Sequence, residues 1–161
     1  LVIFGFDVGP PPETLSLATS TIRRNETSPL CRYKALSYGE NLLARRQAVE
    51  RGADEGLMLN TQGRPACGAM ANLFVVEADG GLATPSVEEG AREGVTRERL
   101  IAAAAALGIP VRLGPVASSG WLAAGLSNTR IGLVPASRLD VRPLTVDHPI
   151  LKQLAEALEA G

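Results

Sequence analysis

"EGLMLNTQGRPACGAMANLFVVEADGGLATP", residues 55–85, decides the fold. Short apolar runs near 56–60, 64–67, 72–77 and 81–83 are separated by "TQG" and "ADGG", which are turn sequences, so the stretch reads as four strands in meander order. On its N-terminal side a helix is predicted from about Ser37 to Arg51, with Gly52 as its stop. That helix is expected to turn Leu42, Leu43, Ala48 and Val49 inward and Glu40, Arg45, Arg46 and Glu50 outward. Further upstream, "LSLATSTIRR" (15–24) alternates like a strand and "NETSPL" (25–30) is a turn. "LVIFGF" (1–6) reads as a buried strand, and "GPPPE" (9–13) as loop, because its prolines remove backbone donors.

On the C-terminal side, an alanine-rich helix is predicted at 97–107, closing at Gly108. "IPVRLGPV" (109–116) follows as a strand, "SSGWLAAG" (118–125) as a short helix, and "TRIGLVPASRLD" (129–140) as a strand bent at its proline. "PILKQLAEALEA" (149–160) is the last helix. Interspersed strands and helices of this kind give an α+β or α/β domain built on a mixed sheet.

The 161 residues amount to one domain with mass enough for a core. Apolar residues make up 45%, charged residues 20%, and the net charge is −1. This balance gives no electrostatic footprint for nucleic acid or an anionic membrane. No apolar run approaches the roughly 20 residues of a membrane span, and no secretory signal pattern is present. Cys31 and Cys67 form no CxxC, and His148 is the single histidine. Neither a zinc site nor a Ser-His triad is indicated, and a cytoplasmic location is expected. The chain opens on "LVIFGFDVGPPPE", with no methionine, as if continuing from an upstream segment.

Chemistry is most legible at Lys34. The chain has 16 basic residues, and only Lys34 and Lys152 are lysines. Arginine cannot be deprotonated in a protein, whereas a partly desolvated lysine can act as nucleophile and base. The bland alternative is a solvated lysine ahead of a helix. In "EGVTRERL" (93–100), Thr96 reads as a helix N-cap. The same arrangement offers free backbone N–H groups and a positive helix end to an anion such as a phosphate. "LSNT" (126–129) places three hydrogen-bonding side chains in a row, and "CGAMAN" (67–72) has small residues that let a ligand approach a sheet.

Taken in order, the lysine and its helix, "GADEGLMLN", "ANLFVV", "LATP", "GVTRE" and the "VP" strand closely resemble the class IV (branched-chain-like) pyridoxal-phosphate enzymes, from about residue 20 to residue 140. That family includes branched-chain and D-amino-acid aminotransferases and 4-amino-4-deoxychorismate lyase. The resemblance implies the large, pseudo-barrel cofactor domain of that fold across residues 1–161, without the smaller N-terminal domain, which would add an arginine to the phosphate site. It implies pyridoxal 5'-phosphate as cofactor, held as an internal aldimine on Lys34. It further implies phosphate contacts from Val95, Thr96 and Thr129, and a homodimer acting on a small amino substrate. "SNT…GLVP" resembles the lyase branch, where an asparagine stands at the position of Asn128. An amino-acid aminotransferase is the alternative within the family.

One departure stands out. The family places a glutamate seven residues before the phenylalanine of "NLF", facing the pyridine nitrogen of the cofactor, and here that position is Cys67. A carboxylate keeps that nitrogen protonated and the ring an electron sink; a neutral thiol does not. Cys67 therefore also supports a third expectation, an impaired or non-catalytic relative.

Overall fold

A computed structural model describes residues 9–160, so the strand expected at 1–6 lies outside the described residues. In chain order the elements are β1 (Leu15–Arg24), α1 (Gly39–Glu50), β2 (Glu55–Asn60), β3 (Pro65–Gly68), β4 (Asn72–Val76) and β5 (Leu82–Thr84). They continue with α2 (Val95–Ala106), β6 (Val111–Leu113), β7 (Ala123–Asn128), β8 (Gly132–Leu139), β9 (Arg142–Pro143) and α3 (Pro149–Ala160). The strands form one mixed sheet in the order β3-β2-β1-β8-β7-β4-β5-β6, with β9 paired to β8. β1 runs parallel to both β2 and β8, and β5 parallel to β6, while the other pairings are antiparallel.

β4, "NLFVV", is buried at every position because both faces of the sheet are covered there. Successive strand side chains point to opposite faces. Leu73 and Val75 accordingly join one core with Leu17, Leu57, Trp121 and Leu126. Phe74 and Val76 join another with Leu100 and Ala104 of α2 and Leu151 and Leu154 of α3. Each such side chain contributes about 1.5–3 kcal/mol on burial. α2 stops where Gly108 adopts φ +70°, a conformation that favours glycine.

Two sequence expectations need correction. In α1 the buried residues are Asn41, Ala44 and Ala48, whereas Leu42, Leu43 and Val49 are exposed. The helix lies so close to β2 that a Cβ built on Gly56 would sit 2.6 Å from the Ala44 carbonyl oxygen. Only small side chains fit that seam, so the leucines turn outward. The segment expected as a short helix at 118–125 instead enters β7 at Ala123. Trp121 is buried in the first core and donates from Nε1 to the Ala117 carbonyl (2.7 Å). Pairing of Ala123 and Ala124 with Val76 and Val75 outweighs the helix propensity of alanine.

The α1–β2 seam predicts a specific sensitivity. Gly56→Ala forces the helix away from the sheet and should cost about 1–3 kcal/mol, the range for overpacking a tight contact. Gly39→Ala, at a position with open space around it, should cost less than about 0.5 kcal/mol. Urea unfolding of the two variants checks the difference.

Candidate active site

The chain leaves β1 through a turn anchored by Arg24, whose guanidinium donates to the Cys31 and Gly90 carbonyls and to Asn41 Oδ1. All three of its donor nitrogens are committed, so Arg24 fixes the path into the segment that carries Lys34. Lys34 lines a cavity of about 940 Å³, together with Tyr38, Met70, Arg92, Asn128 and Thr129. The described residues leave the lysine side chain exposed. They do not themselves supply the desolvation expected of a reactive amine.

The far wall is the β7–β8 turn. Asn128 Oδ1 accepts from the backbone N–H groups of Arg130 and Ile131 (2.9 and 3.0 Å), which closes the turn and leaves Thr129 exposed at its apex. The Asn128 amide donates to the Met70 carbonyl (3.1 Å). The neighbouring Ala69 carbonyl accepts from Asn41 Nδ2 (2.6 Å) and from the Tyr38 hydroxyl (3.3 Å). Burial raises the titration point of Tyr38, so its hydroxyl stays protonated and remains a donor.

Cys67 lies beside a second, small cavity of about 20 Å³, whose lining shares Tyr38, Met70 and Arg92 with the large one. Full burial pushes its thiol from 9.0 up to about 11, partly offset by Arg24 and Arg92. The group is thus a neutral thiol near pH 7. Among the described residues no acid lines this small cavity. The nearby carboxylate is Glu55, whose Cγ is 3.4 Å from where a Cβ on Gly68 would sit. Its Oε1 accepts from the Gly56 N–H (2.9 Å), and burial raises its titration point.

Val95 and Thr96 open α2 without lining either cavity. Thr96 is not the N-cap: Gly94 holds that place, with no side-chain cap, so the first-turn N–H groups lack a side-chain acceptor. Thr96 is buried and Val95 exposed. The helix start nevertheless borders the site, because a Cβ on Gly94 would meet Asn72 Nδ2 at 2.9 Å. Asn72 lines the small cavity and pairs across the sheet with Ser127. Among the described residues, Asn72 Oδ1 and Ser127 Oγ are buried without a hydrogen-bond partner. Such atoms cost about 1–3 kcal/mol each unless something pairs with them.

The structure therefore brings Lys34, Asn128 and Thr129 to one cavity and Cys67 to an adjoining one, with Val95 and Thr96 behind Asn72. Tyr38, Asn41, Asn72 and Arg92 were not among the sequence candidates. Tyr38 had a usable signal, standing four residues after Lys34 at the entrance to α1. Arg92, two residues before the helix-capping glycine, had none.

Residues 3–139 match the family Amino-transferase class IV, and the chain belongs to that family. A probable branched-chain-amino-acid aminotransferase of Synechocystis is 31% identical over 99% of this chain and 54% of its own length. Among solved structures, a putative 4-amino-4-deoxychorismate lyase of Legionella pneumophila superposes with TM-score 0.91 at 30% identity, over 96% of this chain and 59% of that one. A branched-chain aminotransferase of Thermobaculum terrenum, solved in its PLP form, superposes with TM-score 0.85 at 30% identity, over 91% of this chain and 50% of that one. The chain thus has the fold of class IV aminotransferase structures and spans about half the length of these relatives. No helix among the described residues is long and apolar enough to cross a membrane.

The raised thiol carries a pH prediction. Because the neutral form persists up to about 11 in the folded protein, Cys67 should resist a thiolate-specific reagent from pH 7 to pH 9 and react only after unfolding. Labelling of native Cys67 that rises through the ordinary thiol range would contradict this environment. Mass spectrometry of the labelled peptides reads the result.

Proposed function

We propose that the chain is the cofactor-binding domain of a pyridoxal-phosphate-dependent enzyme acting on a small amino substrate. The observation that carries the reading is the meeting of Lys34, Asn128 and Thr129 at one cavity. A smaller cavity adjoins it, and its lining includes Asn72, whose Oδ1 is buried without a partner among the described residues. These residues fit the cofactor at its aldehyde and phosphate ends. When bound, pyridoxal 5'-phosphate supplies an aldehyde carbon for attachment to an amine and a conjugated ring that takes up electrons. Lys34 Nζ would be the attachment point, and the base that takes and returns a proton at the substrate carbon. The Thr129 hydroxyl would hold the phosphate, and the resemblance adds the first-turn N–H groups at Val95 and Thr96, which border the site through Asn72 and line neither cavity, since a helix start favours negative charge. Tyr38 and Asn41 fix the Ala69 carbonyl and with it the chain beside Met70, which lines both cavities.

Within this class we favour a lyase resembling 4-amino-4-deoxychorismate lyase, supported by Asn128 and by the likeness to the Legionella structure. A branched-chain or D-amino-acid aminotransferase is the alternative, supported by the Synechocystis relative. The neutral Cys67 favours a different second reading, an impaired or non-catalytic relative, because a thiol that stays neutral up to about 11 leaves a facing ring nitrogen unprotonated. On the enzymatic reading the assembled protein is a cytoplasmic homodimer that requires neither nucleic acid nor a membrane.

Titration with pyridoxal 5'-phosphate tests the proposal. An absorbance band at the edge of the visible should appear, survive Lys152→Ala and vanish in Lys34→Ala. Thr129→Val removes a hydrogen bond to a charged group, worth about 1.5–3 kcal/mol, and should weaken cofactor binding roughly tenfold to a hundredfold. A chain that binds the cofactor without the band is the non-catalytic relative. Pyruvate formed without a keto-acid acceptor identifies the lyase.

A further inference from the structure

The tip of the β2–β3 hairpin, residues 60–64, holds two buried carboxylates, Glu26 and Glu89, that line neither cavity. Glu89 Oε2 accepts from Asn60 Nδ2 (2.8 Å) and Arg64 Nε (2.6 Å), and its Oε1 accepts from Arg64 Nη2 (2.7 Å). Glu26 accepts from the Thr61 N–H (3.0 Å) and hydroxyl (2.6 Å). The tip is itself tied together, because the buried Asn60 accepts at Oδ1 from the N–H groups of Gln62 (3.1 Å) and Arg64 (2.9 Å).

Each acid stands on a segment that leads into the site. Glu26 lies between β1 and Lys34. Glu89 ends a short 3-10 turn, Val87–Glu89. From there the chain runs through Arg92, which lines both cavities, to Gly94 and the start of α2. The two segments meet at Gly90, where φ is +99° and a Cβ would sit 2.9 Å from Arg24 Cγ and 3.4 Å from Glu26 Cβ. Arg24 closes that contact by donating to the Gly90 carbonyl (3.2 Å). An ion pair drawn out of water adds little net stability, because desolvation offsets the attraction. A two-pronged carboxylate–guanidinium contact does add geometry, since both oxygens are satisfied in one placement only.

We infer that Glu89 is a positioning residue: clasped by Asn60 and Arg64, it fixes the run from Gly90 to Gly94 and so places the first turn of α2 relative to the two cavities. Glu89 acts through the chain and not by contact, and its loss should be felt at the phosphate end of the cofactor more than at the aldehyde end. That last step rests on the proposed function, which supplies the phosphate; the fixing of the run rests on the contacts alone. The backbone N–H groups that report on it are those of Gly90 and Ala91, which donate to the Val87 and Ser86 carbonyls (3.0 and 3.2 Å).

The test compares Glu89→Gln and Arg64→Met with wild type and with Arg46→Gln, which breaks an exposed ion pair on α1. All are measured well below their melting temperatures, so that a loss of global stability alone does not change the reading. Hydrogen exchange of the cofactor-free chain should quicken roughly tenfold or more at Gly90 and Ala91 in the two clasp variants, with β4 unchanged. Affinity for pyridoxal 5'-phosphate should fall roughly tenfold or more in both, the scale on which a misplaced binding group acts. Affinity for pyridoxal, which lacks the phosphate, should fall less than about threefold, and Arg46→Gln should match wild type throughout. Clasp variants that melt earlier yet bind pyridoxal 5'-phosphate as wild type does would overturn the inference, since the clasp would then serve stability only. Equal losses for pyridoxal and its phosphate would overturn it as well. If the wild-type chain binds neither, the proposed function fails, and the exchange at Gly90 and Ala91 decides the clasp: quickened exchange sustains it and unchanged exchange overturns it.

Discussion

The carbonyl of Ala69 accepts from Asn41 and Tyr38, and the shape of the cavity follows from that arrangement. Ala69 belongs to the short turn between β3 and β4, and its own N–H donates to the Gly56 carbonyl (2.8 Å). Its neighbour Met70 is held from the opposite side by Asn128. One peptide segment thus ties together α1, β2 and the β7–β8 turn. These elements place Lys34 and Thr129 at one cavity and Cys67 at the adjoining one. The donors come from α1 and the residue just before it, so the clamp holds only while α1 keeps its close seat on Gly56.

Electrostatics around that clamp are asymmetric. The large cavity carries Lys34, Arg45, Arg92 and Arg130 against Asp54 and Glu55, and both acids already accept hydrogen bonds from the protein. The small cavity carries Arg24, Arg92 and a neutral thiol. A site with this balance favours anionic groups, and an oriented dipole or cation is worth more there than in open water. The burial of Cys67 pushes its thiol up and so favours the neutral form.

Much of this arrangement is legible in the sequence. The four strands of residues 55–85 follow from apolar runs cut by glycine turns, and α1 and α2 end at Gly52 and Gly108, both with positive φ. Lys34 stands out through the scarcity of lysine. What escapes has a common cause. Helical reading assumes that the larger apolar residues face inward, but α1 buries Ala44 and Ala48 because the sheet is too close for leucine. Alanine at 123 and 124 reads as helix in isolation, yet the antiparallel partner strand β4 claims it. Arg92 becomes meaningful only when the fold sets it beside Cys67, since nothing in its immediate sequence distinguishes it from an ordinary loop residue. Asn72, though it ends the small-residue run 67–72, shows its buried amide only in the folded sheet.

The central claim is that Lys34 is the amine to which the cofactor is joined. Borohydride reduction of the chain in the presence of pyridoxal 5'-phosphate, followed by peptide mass mapping, tests it most directly. The account predicts one stable mass addition, on the peptide containing Lys34, and none on the peptide containing Lys152. Addition at Lys152 alone, or no addition despite bound cofactor, would contradict it.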